Sequence, residues 1–176
     1  EFSGYKVARE YYVNDEGVQM DILGNSIRLR YQELFGLKID FPDDGYKGSY
    51  VIDIAKAFKK RFGDRYLKAK DIKAFREFGL NWVLNDIKHD LKDFGVKFDA
   101  WYSQSSLRES GKIKEALRLL KKRGYVYEKD NAVWFKSTMF GDDKDRVVLK
   151  SDGGTTYLAP DIAYHLDKFR RGFKKL

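Results

Sequence analysis

The chain has 176 residues, enough for one ordinary domain or for part of a larger one. Its 35 Lys and Arg against 27 Asp and Glu leave a net charge of +8, which points either to an anionic partner or only to solvated helix faces, because both signs are interleaved along most of the chain. The absence of cysteine excludes disulfides and thiolate metal sites, and with no apolar run of about 18 residues and no signal-peptide pattern, a soluble cytoplasmic protein that makes no membrane contact is expected.

In chain order, "YKVAREYYVND" mixes β-branched and aromatic residues and stops at Asn14 and Asp15, as a strand entering a turn does. From Gly17 to Phe35, Met20, Ile22, Leu23, Ile27, Tyr31, Leu34 and Phe35 recur at three- and four-residue steps, which predicts an amphipathic helix ended by Gly36. After the loop "DFPDDGYKG", a second helix is expected from Tyr50 to Phe62, with Ile54, Ala55, Phe58 and Phe62 on one side and Gly63 closing it. A longer helical stretch covers about Lys70 to Phe94, with Gly79 as a candidate break and Gly95 as its end. Gly111 to Arg123 reads as another helix, with Ile113, Ala116, Leu117, Leu119 and Leu120 inward and Lys or Arg outward.

The texture then changes. "YVYEKDNAVWFKS" reads as a hairpin around a Lys-Asp-Asn turn, "DRVVLKS" from Asp145 to Ser151 as a third antiparallel strand, and a last helix is expected from near Pro160 to about Arg171. The sum is a mixed α/β chain, richer in helix than in strand, with no obvious internal domain boundary.

A search for self-contained chemistry finds no Gly-rich phosphate loop, no paired-His metal spacing and no nucleophile elbow. His89 and His165 read as ordinary surface or packing residues, and "FGDDKDR" at 140 to 146, which lacks the glycine and terminal glutamate of a calcium loop, reads as a polar turn. The stretch "SDGGTTYLAPDIAYHLDKF", Ser151 to Phe169, is more suggestive. Pro160 at a first helical position and Asp161 in the first turn suit a helix start and its dipole without any ligand. Tyr157 and the polar run before it are not explained in that way. A tyrosine and a carboxylate on the lip of a helix are also able to hold a cationic group, the ring by stacking and the carboxylate by charge-assisted hydrogen bonds.

Four blocks, "GYKVAREYYVNDEGVQMDILGNSIRLRYQELFG", "DGYKGSYVIDIAK", "LKDFGVKFDAWYSQSSLRESGKI" and "WFKSTMFGDDKDRVVLKSDGGTTYLAPDIAYHLDKFRRGF", resemble consecutive blocks of bacterial arginyl-tRNA synthetases in order and spacing. The resemblance implies part of a class I Rossmann-type catalytic domain: about 1–40 as a strand and helix of the first Rossmann half, about 41–150 as a connecting insertion of helices and antiparallel strands, and about 151–176 as the start of the second half. It implies activation of L-arginine with ATP and Mg2+ and transfer to tRNA(Arg), with the remaining parts of the synthetase as further partners. Tyr157 and Asp161 fall on the family's arginine-binding tyrosine and aspartate. A planar, permanently charged guanidinium rewards a carboxylate with two parallel hydrogen bonds.

Where the family usually reads Ser-Glu-Ser, "WYSQSS" places Gln104. Loss of one charge-assisted contact there is expected to weaken arginine binding by roughly 1.5 to 3 kcal/mol. The alternative is compensation by Glu109, which should sit at the start of the next helix. Asp15, Gly17 and Gln19 match the family's Asp-x-Gly-x-Gln pattern at the carboxyl end of a strand, where ligands of open α/β sheets gather, with turn chemistry and helix capping as the other reading. The His-x-Gly-His and Lys-Met-Ser-Lys-Ser-type ATP signatures do not occur in the chain, and no catalytic residue or metal ligand is assigned. An internal piece of the catalytic domain is therefore expected, inactive alone and with none of these cofactors bound tightly. The other reading is a tRNA acceptor-arm binding module without catalysis.

Overall fold

The structure, a computed structural model, describes residues 3–176. It is mixed α/β, and the chain divides into two compact units, one of residues 1–11 and 15–101, the other of 12–14 and 102–176. The sequence hides this boundary because the chain passes between the units within two strands and at the turn after the first of them, not through a Gly- or Pro-rich linker. These strands are β1, Glu10–Val13, and β2, Ala100–Ser103, which pair in a two-stranded sheet.

The first unit is built on three helices: α1, Val18–Glu33, α2, Ser49–Phe62, and α3, Lys73–Asp93. Gly17 precedes α1 at φ 97°, a backbone region that L side chains rarely adopt. The apolar positions of α1 and α2 converge on a core in which Ile27, Tyr31, Val51, Ile54, Ala55, Phe58 and Phe75 are fully buried. The Phe58 and Phe75 rings stack at 4.4 Å, and Tyr31 meets Phe58 edge-on at 5.3 Å. The Tyr31 hydroxyl donates to the Gly63 carbonyl at 2.7 Å, and the buried Ser26 hydroxyl donates to the Ile22 carbonyl at 2.7 Å, so both polar groups are satisfied.

α3 runs unbroken through Gly79, against the candidate break. The residue is a packing device: a Cβ there would lie 2.4 Å from Cδ1 of Ile27, so its absence lets α1 and α3 approach closely. Gly24 on α1 plays the reciprocal part, where a Cβ would come 3.0 Å from that of Arg76.

The second unit contains α4, Gln104–Glu109, α5, Lys112–Lys122, and the strands β3, Val126–Lys129, β4, Ala132–Phe135, and β5, Arg146–Leu149, and it ends in α6, Leu158–Arg170. The three strands form an antiparallel sheet in the order β3-β4-β5. Asp130 and Asn131 link β3 to β4 with φ of 52° and 56°, the two positive values of a type I′ hairpin turn. A short 3-10 turn, Ser137–Phe140, leads toward β5. Leu107, Ile113, Ala116, Val148, Ala159, Ala163 and Tyr164 form the core of this unit.

Two local expectations are corrected. β2 and α4 are absent from the periodicity because each is too short to show one. α6 begins at Leu158, so Pro160 is the third helical residue and Tyr157 occupies the N-cap position. A proline fits there as well, since the first four N–H groups of a helix have no intrahelical partner.

Candidate functional site

The polar run before α6 is held against the sheet. Thr156 Oγ1 donates to the Val147 carbonyl at 2.6 Å, the Thr156 N–H donates to the Val148 carbonyl at 3.2 Å, and Thr155 bridges Leu149. Gly154 N–H donates to Asp152 Oδ1 at 2.8 Å, and Gly153 takes φ 82° in the turn. The chain is thus pinned until the residue before α6, and Tyr157 emerges from it 76% exposed. Asp161 is half-buried one turn later, and its N–H donates to the Tyr157 carbonyl at 3.2 Å. A four-residue step puts the two side chains on one face of the helix start.

Gln104 opens α4, half-buried, after Ser103 has capped that helix by accepting from the Ser106 N–H at 3.3 Å. α4 packs on α6, so Gln104, Tyr157 and Asp161 lie in one compact unit, on two helices that touch. Glu109 is the last residue of α4 and exposed, not the first residue of the next helix, because α4 occupies the stretch that sequence periodicity leaves blank. Asp15, Gly17 and Gln19 belong to the other unit, Asp15 and Gly17 at the turn between β1 and α1 and Gln19 in the first turn of α1, with Asp15 half-buried and Gln19 exposed. There the Gly17 carbonyl accepts from Met20 N–H at 3.0 Å, so the helix-start reading accounts for Gly17.

Asp167, two turns along α6, is a residue that sequence reasoning missed. It is 7% exposed and lies 2.7 Å from Lys112 Nζ and 2.9 Å from Arg171 Nε. Lys112 also donates to the Tyr102 hydroxyl at 3.2 Å, and the Tyr102 and Tyr12 rings both pack on Tyr164, at 4.8 and 4.6 Å. The signal was present: Pro160, Ala163, Tyr164 and Asp167 follow the spacing of a buried helical stripe, so the acid falls where an apolar residue would. Burial alone would raise the Asp167 carboxyl, but hydrogen bonds with Lys112 and Tyr102 and the charges of Lys112 and Arg171 outweigh it and hold it below the usual value. The ammonium of Lys112 is shifted upward, chiefly by its hydrogen bond to Asp167.

Near the same lip, Arg146 binds Asp142 through Nε at 2.8 Å and Nη2 at 2.7 Å and reaches Asp143 at 2.7 Å. The acids of "FGDDKDR" therefore serve a turn, and Asp142 is held well below the usual carboxylate range by the Arg146 guanidinium. His89 Nδ1 lies 2.7 Å from the Asn85 carbonyl on the surface of α3. No group of three or more His, Asp or Glu able to hold a metal occurs among the described residues, and no helix among them is long and apolar enough to cross a membrane.

Chemically, the second unit offers an open ring, a carboxylate and an amide on two packed helices, a set suited to binding a planar cation rather than to proton transfer or covalent catalysis. The fold that carries this set is a class I tRNA synthetase fold. A Campylobacter jejuni structure assigned to the arginyl-tRNA synthetases superposes with a TM-score of 0.90 at 37% identity, over 98% of this chain and 38% of that one. The Thermus thermophilus arginyl-tRNA synthetase, at 20% identity and a TM-score of 0.58 over 94% of this chain and 29% of that one, shares the fold. Arginine–tRNA ligases of Geobacillus kaustophilus and Bacillus subtilis are 52% and 50% identical over 99% of this chain. The chain belongs to the arginine family of class I tRNA synthetases, whose catalytic-domain model matches residues 1–173. It spans 32% of the length of those two curated relatives.

Proposed function

We propose that the chain supplies the arginine pocket of an arginine–tRNA ligase, the enzyme that activates L-arginine with ATP and passes the arginyl group to tRNA(Arg). The observation that carries this reading is the placement of Tyr157 and Asp161 one turn apart on the open lip of α6, in a chain matched to the family nearly end to end. In this reading Asp161 takes the guanidinium through paired hydrogen bonds, Tyr157 covers its face, and Gln104 on α4 forms a weakened opposite wall that brings an acceptor without charge. Asp15, Gly17 and Gln19 line an active-site loop of the first Rossmann half, about residues 1–40. The segment of about 41–150 is the connecting insertion, and about 151–176 begins the second half.

ATP use comes with the family. The described residues form no carboxylate cage for Mg2+, so the metal would arrive on the ATP phosphates, and no residue of this chain is assigned to it. Because the chain contains neither ATP signature, it makes no arginyl-adenylate unaided and acts with the remaining parts of a cytoplasmic synthetase.

Calorimetry with L-arginine tests the pocket. The expected result is measurable binding that falls at least tenfold in Asp161→Asn, with L-citrulline, which keeps the shape but not the charge, binding no better than to that variant. Equal affinity of the wild type for arginine and citrulline would refute the assignment. The second reading, an acceptor-arm binding module, draws on the basic balance of the chain.

A further inference from the structure

Nearly all of the net charge sits in one unit. Residues 12–14 and 102–176 carry 17 Lys and Arg against 10 Asp and Glu, a net +7, whereas residues 1–11 and 15–101 carry 18 against 17, a net +1. Several cations of the basic unit are committed internally: Lys112 and Arg171 to Asp167, Arg146 to Asp142 and Asp143, Lys121 to Glu128, and Arg170 to Glu115.

The outer side of α5 is different. Lys114, Arg118 and Lys122 are all exposed and follow at four-residue steps, opposite the buried Ile113 and Ala116. They form a row along the helix with steps of about 6 Å, comparable with the distance between successive phosphates of an RNA strand. Glu115 is the one acid on α5; Arg170 holds both of its oxygens with hydrogen bonds of 2.6 and 2.8 Å, and of the row it attracts Arg118 without an ion pair to it. Arg118 and Lys122 also border a cleft of about 180 Å3 that Glu115, Leu119 and Arg170 line with them. Like charges one turn apart repel each other, a cost that Glu115 offsets only in part, through its attraction to Arg118, and that a polyanion would offset along the whole row.

We propose that the Lys114, Arg118 and Lys122 row of α5 is a contact for the phosphate backbone of tRNA. The choice of tRNA over another polyanion rests on the synthetase reading above. The contact is sequence-independent, since three exposed cations read charge spacing and no base edge.

The test is fluorescence anisotropy with a labelled tRNA(Arg) transcript from about 50 to 200 mM salt. In the triple variant Lys114→Ala, Arg118→Ala, Lys122→Ala, affinity should fall at least tenfold at the lower salt, and the slope of log K against log salt should become shallower by about 2. Alanine favours helix at these exposed positions, and circular dichroism confirms that the fold is kept. Lys60→Ala, Lys68→Ala, Lys70→Ala removes the same charge from exposed residues of the other unit and should bind within twofold of wild type. Unchanged binding by the α5 variant, equal loss in the control variant, or no RNA binding by the wild type would each overturn the proposal. Arginine calorimetry on the same samples separates the readings: absent arginine binding with an intact α5 effect refutes the pocket and leaves the row standing.

Discussion

Lys112 Nζ lies 2.7 Å from Asp167 Oδ1, and the carboxylate that it meets is 7% exposed. This pair ties the first turn of α5 to the second half of α6, the helix whose other end carries Tyr157 and Asp161. Removing the carboxylate strands two cations, but both are partly open to water and can turn outward. Asp167→Ala should therefore lower the unfolding free energy by about 2 kcal/mol, at the low end for a broken buried pair, as read from urea denaturation.

The same pair sets an acid limit on stability. Because the folded carboxyl of Asp167 is depressed, its contribution is complete above the unfolded value of about 3.9 and is lost as pH falls through the lower folded value. Lys112 is shifted upward, so its share is complete below about 10.4 and is lost only as pH rises through the folded value. The gap in melting temperature between wild type and Asp167→Asn should stay constant between these limits and close in acid, as measured by thermal melts across the pH range.

Gly79 should resist the usual benefit of alanine in a helix. The gain of about 1 kcal/mol in helix propensity is opposed by overpacking against the fully buried Ile27, worth about 1 to 3 kcal/mol. The expected net result is destabilisation of about 1 kcal/mol. Trimming the offending methyl supplies the check: Ile27→Val should cost about 1 kcal/mol in the wild type and almost nothing in Gly79→Ala, a non-additivity that urea titrations of the four proteins would reveal.

Restoring a carboxylate at Gln104 should strengthen the candidate pocket. In the proposed geometry Gln104→Glu adds a second charge-assisted contact to the guanidinium, and arginine affinity should rise about tenfold, corresponding to roughly 1.5 kcal/mol. Calorimetry of the two proteins decides it, and unchanged affinity would remove Gln104 from the pocket.

The helices with long apolar stripes were legible: Ile54, Ala55 and Phe58 mark the buried side of α2 from spacing alone, and Asp130-Asn131 announces the hairpin turn. α4 was not, because six residues hold fewer than two turns of pattern. Gly79 reads as a break only while its neighbour is unknown, since the feature that demands glycine, the tip of Ile27, lies 52 positions away in the chain. Tyr157 and Asp161 are close in sequence and could be paired by inspection, whereas the packing of α4, which Gln104 opens, on α6 could not be read from the sequence. Asp167 was overlooked for a related reason: its role depends on Lys112, Tyr102 and Arg171, of which only Arg171 is a sequence neighbour.

The Thr155 and Thr156 contacts with β5 give the sheet a mechanical role. Because the edge of β5 holds the chain until the residue before Tyr157, the sheet fixes the point from which α6 sets out.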